Sequence, residues 1–169
     1  MQINRLLLLT VLICAYAAHA FSQSNLKAGS TAPAFIGNLV GGESVSLADL
    51  RGKVVVMTFW TTRCAICRHE MPILDGVVKQ YDPNKVVFLA LTTENEHQVA
   101  AYLRNNPFTF KIVTDSFGTL LRYADRDGRG NINIGYPSFF VVDKQGLVQH
   151  RSSGYDKIAP LTAAIDRLL

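Results

Sequence analysis

The chain of 169 residues is poor in cysteine, with three, and has a single tryptophan. Three cysteines exclude a disulfide-dense mini-scaffold and a pair of C-x-x-C zinc knuckles. Charge is sparse as well: 18% of residues are ionic, and 17 Lys+Arg against 13 Asp+Glu leave a formal +4. The basic residues are scattered, so nucleic acid finds no electrostatic footprint. Apolar residues make up 49%, which excludes wholesale disorder. No repeat, low-complexity tract or long linker divides residues 26–169. A length of this order suits one domain that buries its own core.

Arg5 is the only charged side chain before Lys27 and precedes the apolar run Leu6–Ala18. A basic start, a short apolar stretch and the small-x-small sequence Ala18-His19-Ala20 read as a signal peptide over residues 1–20. Cleavage is expected near Ala20 or, from Ala20-Phe21-Ser22, near Ser22. The stretch falls short of the roughly 20 apolar residues of a spanning helix, so an uncleaved membrane anchor is the lesser reading. Cys14 lies inside the apolar run behind bulky Ile13, which argues against lipidation. After cleavage, residues 21–27 would form a short tail, residues 28–169 the folded domain, and Cys64 and Cys67 the remaining thiols. An exported chain works where disulfides persist.

Gly41-Gly42 between the extended runs Ala34–Leu39 and Ser44–Leu47 predicts a hairpin. Val54–Trp60 is apolar on both faces, the pattern of a buried central strand, and Val86–Leu91 predicts a second. Helices are expected from Ala65 to about Gln80, over Glu94–Asn105, from Phe117 with Ser116 as cap, and from about Lys157. In the third, Phe117, Leu120, Leu121 and Ala124 fall on one face. Thr109–Val113 predicts a strand, Asp125–Asn131 a polar loop, and Ser138–Val142 with Leu147–Arg151 a closing hairpin. Strands alternating with helices and ending in a hairpin imply an α/β fold whose mixed sheet is covered on both faces.

Cys64-Ala65-Ile66-Cys67 falls where the Val54–Trp60 strand meets the next helix. Free N–H groups and the dipole at a helix N-terminus stabilise an anion, so Cys64 is suited to be the thiolate nucleophile. Cys67, one turn on, can resolve the mixed disulfide. As a static staple so short a loop would contribute little. Zinc would need two more ligands. A c-type haem would need His directly after the second cysteine, where Arg68 stands. Glu70 lies three residues beyond Cys67 on the same helical face. It is either a proton acceptor for Cys67 or a solvated carboxylate. Arg63 either tunes the nucleophile or is solvated, and His69 reads as an exposed helix residue. Pro137, after Tyr136, is a candidate cis peptide opening a strand; the alternative is an ordinary trans proline.

These residues resemble the exported TlpA-like thiol–disulfide oxidoreductases of the thioredoxin superfamily. Ala32-Pro33-Ala34-Phe35, the run Val45–Val56 and Phe59-Trp60 leading to Cys64–Cys67 carry the likeness. So do Glu70-Met71-Pro72, Pro137–Asp143 and Gly146. The resemblance implies a thioredoxin-like fold with an N-terminal β-hairpin extension and no cofactor or metal. It implies a redox-active Cys64–Cys67 pair, with Glu70 as buried acid–base and Trp60, Arg63, Tyr136 and Pro137 at the substrate. Implied partners are protein disulfides and dithiols, with a membrane thiol relay as electron donor and cytochrome c biogenesis among the settings. The sequence departs from the pattern in Ala65-Ile66 between the cysteines, in Arg63, and in added length between Tyr123 and Pro137. Asp125-x-Asp127-Gly128 lacks the later acidic ligand of a calcium loop. Two alternatives are a peroxiredoxin-type peroxidase and a copper or haem chaperone. Thr61-x-x-Cys64 matches half of the peroxidase motif P-x-x-x-T-x-x-C, but Met57 stands at its proline.

Overall fold

The computed structural model describes residues 26–127 and 129–169. The expected signal peptide with its cleavage sites, Cys14, tail residues 21–25 and Gly128 lie outside them. Gly41 and Gly42, both at positive φ, turn the predicted hairpin between β1 (Ile36–Leu39) and β2 (Ser44–Ser46). A 3-10 turn at Ala48–Leu50 leads into β3 (Val54–Phe59), buried at every residue as its unbroken apolar run requires. Then follow α1 (Ala65–Val78), β4 (Val86–Leu91), α2 (Glu96–Leu103), β5 (Lys111–Thr114) and α3 (Phe117–Tyr123). The chain ends with β6 (Asp125–Arg126), β7 (Ile132–Asn133), β8 (Ser138–Val142), β9 (Val148–Ser153) and α4 (Ile158–Asp166).

Seven strands form one mixed sheet in the order β2-β1-β5-β4-β3-β8-β9. β4 runs parallel to β3 and β5, whereas β8 runs antiparallel to β3, with Phe59 opposite Ser138. The strand alternation divides the core cleanly. Val54, Val56, Ala90, Phe139 and Val141 face α1, α2 and α4 through Met71, Leu74, Val99, Leu161 and Ile165. Val55, Met57, Phe59, Leu89 and Phe140 face the other way, onto Phe35, Leu47 and the α3 residues Leu120 and Tyr123. Both faces are covered, as expected.

Three local readings are corrected. Asp125–Asn131 is not wholly loop: β6 and β7 pair as a two-stranded ribbon. Its anchor is the guanidinium of Arg151 on β9, which donates to both carboxylate oxygens of Asp125 and lies 5.3 Å from the Phe140 ring centre. Ser116 stands at the N-cap of α3 as expected, but its side chain makes no capping bond, because its hydroxyl donates to the Val113 and Thr114 carbonyls. Phe117 is 59% exposed, and Tyr123 takes the buried place on that helix. Among the described residues no helix is long and apolar enough to cross a membrane.

Candidate active site

The C-terminal ends of the parallel strands and the start of β8 deliver four segments to one edge of the sheet. After β3 the chain passes through Trp60 and residues 61–63 to Cys64, the N-cap of α1. Cys64 and Cys67 are joined by a disulfide, with Cα atoms 5.2 Å apart. The Cys64 sulfur also accepts a hydrogen bond of 3.0 Å from the Cys67 N–H. Cys64 is half-buried, whereas Cys67 is 1% exposed. The pair is therefore polarised, with one sulfur toward solvent and one in the core.

Glu70, one turn beyond Cys67, is 2% exposed. Its Oε2 has no hydrogen-bond partner among the described residues. Oε1 lies 3.3 Å from the Asp156 N–H, which donates to it, and 3.3 Å from Nδ1 of His69. Pro72 sits inside α1, where it lacks the N–H of a regular turn.

Pro137 is buried and follows a cis peptide bond from Tyr136. Because Phe59 pairs with Ser138, this bond lies beside the segment that leaves β3 toward Cys64. Tyr136 is half-buried, and burial together with the charge of Glu94 pushes its phenol up. Arg63 is exposed next to Cys64. Trp60, expected at the substrate surface, is instead 1% exposed, its indole packed on Tyr102 and Phe108. It lines the core behind the dithiol because its apolar ring completes the α1–α2 side of the sheet.

Glu94 was not foreseen. The sequence reads it as the start of a helix, but α2 begins two residues later, capped by Asn95 with Gln98 in a capping box. The freed Glu94 side chain reaches across to residue 62. Its Oε2 accepts from the Thr62 N–H at 2.8 Å, and its Oε1 from the Thr62 hydroxyl at 2.6 Å. The Thr92 hydroxyl adds a bond of 3.1 Å to Oε2. Burial raises the Glu94 carboxyl, but hydrogen bonds from Thr62, Thr92 and Thr61 outweigh it and hold the group below its ordinary value. Nothing in Thr92-Thr93-Glu94-Asn95 signals this role, since the partner lies in the turn that follows another strand.

An α/β sheet that presents a half-exposed and a buried cysteine at a helix N-terminus, with a cis-proline loop alongside, defines a thioredoxin-like thiol–disulfide oxidoreductase. A family model described as the AhpC/TSA family matches residues 28–151, and the chain belongs to that family, as a TlpA-like member of the thioredoxin superfamily. It is 32% identical over 137 residues to the thioredoxin-like protein YneN of Bacillus subtilis, covering 79% of this chain and 76% of that one. It is 33% identical over 151 residues to the thiol-disulfide oxidoreductase ResA of Geobacillus thermodenitrificans, covering 88% and 83%. The thioredoxin domain of a thiol-disulfide oxidoreductase from Bacteroides vulgatus has the same fold, with a TM-score of 0.70 at 24% identity over 85% of this chain and 99% of that one.

Proposed function

We propose that this protein is exported and reduces disulfides in proteins outside the cytoplasm, with Cys64 as nucleophile and Cys67 as resolving thiol. The polarised burial of the pair carries the reading: only Cys64 is open to a substrate, and it occupies the N-cap of α1. In the reduced state the helix N-terminus and the Cys67 N–H favour a thiolate at Cys64. That thiolate attacks a substrate disulfide, forming a mixed disulfide and expelling one substrate thiolate. Cys67 then passes its proton to Glu70 and attacks the Cys64 sulfur. The internal disulfide forms and the second substrate thiolate leaves, taking a proton from water. The substrate segment lies along Tyr136-Pro137, with Arg63 and the ribbon carrying Asp125 and Ile132 at its margins. Electrons return from a membrane thiol relay. Residues 1–20 serve as the signal peptide of a domain spanning 28–169, and N-terminal sequencing of secreted protein should find a start near Ala20 or Ser22.

The reduction potential of Cys64–Cys67 tests the direction. A value near thioredoxin's, about −270 mV, is expected, and one near DsbA's, about −120 mV, would make the protein an oxidant. Cys67→Ser should accumulate a mixed disulfide on Cys64. Rapid peroxide consumption by that same variant would instead mark a peroxidase.

A further inference from the structure

The mechanism above leaves one side chain unused beside its proton acceptor. Glu70 is 2% exposed, so a proton received from Cys67 has no direct path to water. Two groups approach its Oε1. One is the Asp156 amide, which donates and cannot take a proton. The other is Nδ1 of His69, at 3.3 Å. The His69 side chain is 57% exposed, so a single imidazole spans the distance from the buried carboxyl to solvent.

The surrounding loop holds this arrangement. Asp156 has φ of 56°, a left-handed conformation that non-glycine residues seldom adopt. That turn directs its N–H at Glu70 and carries the neighbouring Tyr155 ring to 5.3 Å from the His69 ring centre. The carboxyl and the imidazole are thus both fixed from the segment between β9 and α4. Glu70 comes from the imidazole's own helix, and Tyr155 and Asp156 from the loop packed over it.

We propose that His69 is the proton relay between Glu70 and solvent, an inference that rests on the reading of Glu70 as acceptor for Cys67. When Cys67 attacks, its proton moves to the Glu70 carboxylate. The neutral imidazole accepts that proton on Nδ1 and releases one from Nε2 to water, and the exposed ring then re-equilibrates its tautomers with solvent. One proton passes from Cys67 to bulk water for each mixed disulfide resolved. The electron pair of the broken bond leaves on the substrate sulfur. When a donor dithiol reduces the pair, the same path runs backward.

The test follows mixed-disulfide decay after rapid mixing of the reduced protein with a disulfide-containing peptide, using acid quench and mass spectrometry in dilute phosphate. His69→Gln and His69→Ala should each slow resolution about a hundredfold or more, the scale at which a positioned proton carrier acts. Added imidazole should restore the His69→Ala rate in proportion to its concentration, and the reduction potential should stay unchanged. Wild-type resolution in both variants, with Glu70→Gln slow, overturns the relay and leaves the role of Glu70 standing. A slow His69→Ala that imidazole does not rescue also overturns the relay, since His69 would then act only by holding Glu70 in place. Wild-type resolution in Glu70→Gln overturns the reading of Glu70 and the relay with it.

Discussion

A single carboxylate fixes the approach to the nucleophile. Thr62 lies two residues before Cys64, and both its amide and its hydroxyl end on Glu94. The Cys64 N–H in turn donates to the Thr61 carbonyl at 3.1 Å. Glu94 therefore ties the end of β4 to the turn that sets the position of the sulfur. Glu94→Ala should leave two donors at residue 62 unpaired, costing about 2–3 kcal/mol for hydrogen bonds to a charged group. Thermal melts should fall by about 5–10 °C at the 2–4 °C per kcal/mol usual for a chain of this size. Glu94→Gln keeps an acceptor and should lose less than half as much. Equal melting of the alanine variant and the parent would remove Glu94 from any structural role. This residue was illegible in the sequence for a physical reason: its meaning depends on a contact 32 residues away. Cys64 and Cys67 were legible because their chemistry depends on spacing and on a helix start, both local. Glu70 lay between the two cases: its helical face was readable, but the burial that separates an acid–base from a solvated carboxylate was not.

The elements followed the apolar pattern, and their ends did not. β3 and β4 were readable from continuous apolar runs, and α1 from Met71, Leu74 and Val77. Tertiary partners decided the rest, as where Arg151 draws Asp125 into a ribbon or Tyr123 displaces Phe117 from the core of α3. Two glycines make element packing testable with opposite signs. A Cβ on Gly37 in β1 would come within 2.3 Å of the Val113 side chain on β5. Gly37→Ala must push β1 off its neighbour and should cost about 1–3 kcal/mol as overpacking. Gly76 in α1 has nothing within 4 Å of its added Cβ. Gly76→Ala should stabilise by about 0.5–1 kcal/mol, the helical penalty of glycine relative to alanine. Urea unfolding of both variants checks this, and a Gly37→Ala midpoint at or above the parent's would mean that β1 is not held against β5.

Across the whole molecule, three carboxylates gather backbone and side-chain donors, two of them from segments distant in sequence and one within a tight turn, and all three are held below the ordinary carboxylate range. Asp75 of α1 accepts from the Thr109 N–H and hydroxyl and pairs with Lys79 at 3.0 Å. Asp143 accepts from the Gln145 and Leu147 N–H groups and from Gln149, closing the β8–β9 turn. Glu94 holds the Thr62 segment. Burial raises each group, but these donors outweigh it, so the folded carboxyl binds its proton less readily than the unfolded one. Stability from such a group is complete above the unfolded value, about 4, and disappears as pH falls through the folded one. The free energy of unfolding should therefore fall slightly from about pH 7 to 5, because burial and the charge of Arg167 hold the His150 imidazole below its ordinary value. It should decline further below about pH 4, with a slope approaching 1.4 kcal/mol per pH unit for each carboxylate that still distinguishes the two states. Asp143→Asn removes one titrating group and should reduce that slope by up to one such unit. Urea denaturation at intervals between pH 7 and 3 measures both. A curve that stays level below pH 4 would remove these carboxylates from the acid sensitivity, and an unchanged slope in Asp143→Asn would take the β8–β9 turn out of the linkage.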